Sequence, residues 1–126
     1  MIKPLSVFFF CLFAVNLVFA NIDISGVHAY PVPYNPKKSS AKIIRFKGLD
    51  AYTFGTLKME VFDINGDRVL SRTFSNPSSA QWNARNEKGK LVSPGMYIIK
   101  LSLDVPSAVP NDENFGRKTI RVLIAY

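Results

Sequence analysis

The run WNARNEKGKLVSPGMY, residues 82–97, opens on the chain's one tryptophan. It then passes through a polar stretch rich in Asn, Lys, Gly, Ser and Pro before the sequence turns apolar again. A tryptophan beside such a stretch is either part of a binding site or a corner of a fold. In β-sandwiches a lone Trp fills the space between the sheets. Trp82 is therefore assigned to the core, with its indole N–H in need of an acceptor. Gly89 and Gly95 permit the turn, and Tyr97 starts the strand that returns. Residues 86–90 read as a solvated loop.

On either side of this run, short alternation of apolar and polar residues recurs between turn residues. No stretch repeats apolar positions at helical spacing for three turns, so the chain is all-β. Strands are expected over residues 22–30 (weak), 41–47, 56–63, 67–74, 80–85, 96–105 and 117–126. In TLKMEVFD, residues 56–63, Leu57, Met59 and Val61 share one face and Lys58 and Glu60 the other. Asn65-Gly66 follows at once. Asn-Gly between alternating strands predicts a hairpin with a type I′ turn, which makes Gly66 a structural residue. The last strand is apolar on both faces, with Ile120, Val122 and Ile124 against Leu123 and Ala125. An exposed strand of that kind is an aggregation hazard, so it is expected to be buried in the sandwich or covered by a partner. About seven strands at this spacing describe a β-sandwich.

The chain starts with a short basic segment, Met1-Ile2-Lys3. Residues 5–18 are nearly all apolar, and Val18-Phe19-Ala20 ends the run on a small residue. This is the pattern of a signal peptide over residues 1–20. A membrane-spanning helix needs about 20 apolar residues, more than this run offers. Cys11 follows Phe8-Phe9-Phe10 rather than the small residues of a lipid-attachment signal. Residues 21–126 then form one exported domain, preceded by no cargo. Its expected location is the periplasm, the outer surface or the extracellular space, and it meets a membrane only through the signal peptide during export. Cys11 is the single cysteine, so the exported domain is held by packing without disulfides.

The formal net charge is +7, and Lys3 is the only charged residue of the first 20. The remaining basic residues are dispersed along the chain. They read as a solvated surface that resists self-association, or as one attracted to an anionic envelope surface. No nucleic-acid recognition motif is visible, and no nucleic-acid partner is expected.

His28 is the sole histidine, and residues 21–126 contain no cysteine. A His-based metal cluster, a thiolate zinc site and a thiol nucleophile are thereby excluded. A Ser-His-Asp set would have to use His28, which reads as a strand-end side chain beside Tyr30. Asp63, Asn65 and Asp67 have the spacing of the first calcium-loop ligands. That loop calls for Gly at position 6 and Glu at position 12. Here Gly66 falls at position 4 and Phe74 at position 12. The hairpin accounts for the same residues, since Asp and Asn tolerate turn geometry. Gly89 and Gly95 lie between strands rather than at a helix start, so they do not cradle phosphate. No catalytic residue, metal or cofactor is expected, and the chain is not expected to be an enzyme.

Several segments, taken in order, resemble the Ig-like domain of the bacterial flagellar hook-capping protein superfamily. They are also similar to the related C-terminal sorting domains of the type IX secretion system. The "YPNPFNP"-like segment is HAYPVPYNP, residues 28–36, and the "I-x-F/Y" strand is Ile44-Arg45-Phe46. The hairpin pattern falls on Leu57, Met59, Val61, Phe62, Asp63, Gly66 and Val69. The "W-D/N-G" pattern falls on Trp82, Asn83, Asn86, Gly89, Val92, Gly95 and Tyr97, with Ala84 where the family usually has Gly. The resemblance implies an Ig-like β-sandwich of about seven antiparallel strands and a role in assembly.

The expected function is a non-catalytic structural or interaction module of the bacterial envelope or extracellular space. Its partner is another envelope or secreted protein, or a second copy in self-assembly. Expected contacts are Tyr30, Pro31, Pro33, Tyr34 and Pro36 in the proline segment, and Pro106 and Pro110 in a long loop. A type IX sorting-type domain is the alternative. A carbohydrate-binding module using Tyr34, Tyr52 or Tyr97 is a further one, because aromatic rings stack on sugars.

Overall fold

The computed structural model describes residues 23–38, 40, 42–105 and 116–126. The expected signal peptide, Cys11, Pro106 and Pro110 lie outside the described residues. Seven strands are present among the described residues: β1 (His28–Tyr30), β2 (Ile44–Lys47), β3 (Thr56–Asp63), β4 (Arg68–Phe74), β5 (Gln81–Trp82), β6 (Gly95–Asp104) and β7 (Arg117–Ile124). They form a three-stranded sheet in the order β1-β2-β5 and a four-stranded sheet in the order β4-β3-β6-β7. Every ladder within the sheets is antiparallel. This is the Ig-like strand order with the fourth strand placed on the sheet of the third.

Alternation in the sequence decides which face each strand buries. Leu57, Met59 and Val61 of β3 point into the core, as do Tyr97, Ile99, Leu101 and Leu103 of β6. Ile44 and Phe46 of β2 meet them from the other sheet, beside Trp82 of β5. Each such side chain contributes about 1.5–3 kcal/mol on full burial. No charged or polar residue is buried among the described residues.

The β3–β4 hairpin differs from the expected type I′ turn. Gly66 is left-handed at φ 87°, but Asn65 is not. The Gly66 amide donates to the Asp63 carbonyl, and the Asp63 amide to the Asp67 carbonyl. Residues 64–66 thus make a three-residue loop that ends on a left-handed glycine, with a register shift at Val61/Phe62. The Asp63 carboxylate decides between the two turns, because it accepts the amides of Asn65 and Asp67 at 2.9 and 3.0 Å.

One further expectation needs correction, and for the last strand burial in the sandwich is not what the structure shows. The first strand is only three residues long, because Asp23, Ser25 and Gly26 build a turn before it and the Val27 amide donates to the Ile24 carbonyl. The last strand is not buried on both faces. β7 is a sheet edge whose Ile120, Val122 and Ile124 face the core, while Leu123 and Ala125 are exposed. Its edge is covered near the C-terminal end by Tyr34, which forms a parallel bridge to Ile124. The Tyr34 amide donates to the Leu123 carbonyl at 2.8 Å, and the Ala125 amide donates to the Tyr34 carbonyl at 2.9 Å.

Candidate interaction surface

The stretch that follows β5 is a corner of the fold. Trp82 is 1% exposed, and its Nε1–H donates to the Arg85 carbonyl at 3.0 Å. Its ring meets that of Tyr97 edge-on, with centroids 5.6 Å apart. The Tyr97 hydroxyl donates to the Ser93 carbonyl at 2.6 Å. A tyrosine near the start of the sixth strand that bonds to backbone a few residues upstream is the tyrosine corner of Ig-like sandwiches.

Asn86 organises the polar loop. Its side-chain oxygen accepts the amides of Lys88 and Lys90, both at 3.0 Å. Its own amide donates to the Lys90 carbonyl, and the Gly89 amide donates to its carbonyl. Gly89 is left-handed at φ 78°. The same set of bonds surrounds Asp63, so DINGD and NEKGK are two copies of one turn. The shared signal, Asp or Asn three residues before Gly, was legible in the sequence. Glu87 in this loop also covers the edge of β4: its amide donates to the Val69 carbonyl and its carboxylate accepts the Ser71 amide at 2.8 Å.

The proline segment is divided between surface and core. Tyr30 is 55% exposed, with the Lys47 ammonium 4.4 Å from its ring centroid. Pro33 is exposed, and Pro31 and Pro36 are half-buried. Tyr34 is 2% exposed, which corrects its place among the contacts. Its backbone is held against β7, and that carries the ring into the core. Of the tyrosines expected for sugar stacking, Tyr97 is buried as well. Tyr52 is half-buried, with its hydroxyl donating to the Asp23 carbonyl at 3.3 Å.

Burial raises the Tyr34 phenol above its ordinary value, with Arg85 acting the other way. Burial also raises that of Tyr97, helped by Asp63 and Tyr126. Hydrogen bonds from the Ser25 side chain and amide lower the Asp23 carboxyl.

Sequence reasoning missed a second surface, the outer face of the four-stranded sheet. Its registers set Phe62 opposite Ile98, and Ile98 opposite Arg121. One step along, Met96 stands opposite Leu123, each 38% exposed. Lys58, Lys100 and Arg117 occupy neighbouring positions on this face. Dispersed in sequence, these basic residues are gathered by strand pairing. No signal in a single strand announces that, because each contributes only one or two.

No family profile and no curated protein matches the sequence. Among solved structures, the chain is similar to PorZ, an essential bacterial surface component of the type-IX secretion system of Porphyromonas gingivalis. The match has a TM-score of 0.54 and 23% identity, over 80% of this chain and 12% of PorZ. Dimeric latent PorU of the same organism aligns with a TM-score of 0.45 and 16% identity, over 79% of this chain and 9% of PorU. The chain thus spans a small part of each protein it resembles, and the likeness to PorZ is one of fold.

Proposed function

We propose that this chain is a non-catalytic interaction module of the bacterial envelope or extracellular space, acting in protein–protein assembly. The observation that supports the reading most is the sandwich it shares with part of PorZ, a surface component of a secretion system. The hook-capping resemblance agrees with it. The type IX sorting-type reading is the alternative that the same likeness favours.

Crosslinking of intact cells followed by mass spectrometry tests the proposal. A discrete partner, or a second copy, is the expected product. A chain that is recovered only as an uncrosslinked monomer overturns it. For the alternative, a reporter fused to residues 21–126 should reach the outside of a cell with type IX secretion; a reporter retained in the periplasm removes that reading.

A further inference from the structure

We infer that the outer face of the four-stranded sheet docks an acidic segment of a partner protein. The inference rests on the interaction reading and names the chemistry of the partner. Phe62 and Ile98 form a half-buried apolar centre, extended by exposed Met96 and Leu123. Ile64, 74% exposed, follows Phe62 in the hairpin loop. Around this centre stand Lys58, Arg68, Lys100, Arg117 and Arg121, and the Lys100 ammonium lies 5.2 Å from the Phe62 ring centroid. Two acids share the face among the described residues. Glu60 is already paired with Lys58 at 3.9 Å and Arg68 at 3.7 Å. Asp104 stands opposite Thr56, one position along the face from Lys58 and Arg117.

An apolar centre with a charged rim is the anatomy of a protein interface. Among the described residues cations outnumber acids on the rim, so the complementary partner is acidic. Three of the five cations are arginines, whose planar fork matches carboxylates two bonds at a time. A lipid surface is the competing occupant, since Ile64, Met96 and Leu123 are exposed, and vesicle binding is one of the outcomes of the test.

The test places a photocrosslinking amino acid at Met96 of the full chain in its native cell, with a control probe at Lys47 on the other sheet. The expected product from Met96 joins one protein through a segment with more Asp and Glu than Lys and Arg. Arg117→Glu with Arg121→Glu should lower its yield roughly tenfold, because two attractions become repulsions. Both sites are exposed, and a circular dichroism melt checks the fold; Leu123→Ser is a second variant that should also lower the yield. An unchanged yield in folded variants, or crosslinking to a basic segment, overturns the inference. So does charge-dependent binding to vesicles of phosphatidylglycerol and phosphatidylethanolamine without a protein product. A partner captured only from Lys47 overturns this face and leaves the interaction reading standing; no partner from either probe defeats both.

Discussion

Replacing Trp82 by Phe and by Ala separates what its ring contributes. Trp82→Phe keeps a ring beside Tyr97 but removes the donor to the Arg85 carbonyl. That bond is part-buried, and its loss costs about 1 kcal/mol. The smaller ring leaves space in a close-packed site, for about 1–2 kcal/mol more. The expected total is about 2–3 kcal/mol. Trp82→Ala also removes the edge-on pair and should cost about 3–5 kcal/mol. Urea denaturation followed by far-UV circular dichroism measures both, since the variants lose the only tryptophan. Losses below about 0.5 kcal/mol, the range of ordinary surface changes, would refute the assignment of Trp82 as a core anchor. Equal losses in the two variants would show that ring packing adds nothing.

Asn86→Ala should cost about 1 kcal/mol by freeing two amides, whereas Asn86→Asp should cost little, because Asp63 builds the same turn; thermal melts compare them. Ala84 is fully buried and left-handed at φ 60°. Glycine there relieves about 1–2 kcal/mol of strain and gives up a methyl worth about 0.8 kcal/mol, so Ala84→Gly should be neutral or stabilising in urea, and Ala84→Val clearly destabilising. The raised phenols of Tyr34 and Tyr97 bind protons more tightly folded than unfolded. Their contribution is present below the ordinary value of 10.0 and lost as pH rises through the folded value. Stability should therefore fall above about pH 10, and Tyr97→Phe should flatten that limb of a pH–stability curve.

The parts of the fold that were legible depend on local alternation. The bounds of β3 and the core position of Trp82 follow from residues close in sequence. Ala84 stands where the resembling family has glycine, and its left-handed backbone explains that preference. The buried Tyr34 was not legible, because what buries it is a bridge to Ile124 at the far end of the chain. The basic and apolar face was hidden for a related reason: its residues come from different strands, and only their register makes them neighbours. The turn at Asn65 departs from expectation because Asn-Gly suits two hairpins, and the carboxylate of Asp63 selects the longer one.

The bridge between Tyr34 and Ile124 also carries a consequence for timing. Synthesis runs from the N-terminus, so Tyr34 exists before the strand that covers it. The β3–β4 hairpin closes over a short loop, while the Tyr34 seam joins distant segments and pays the larger closure entropy. Pulse-labelled hydrogen exchange should protect amides of β3 before that of Tyr34. Until the seam closes, a large aromatic side chain and the edge of β7 are both open, and that interval is when the chain is most exposed to mispairing.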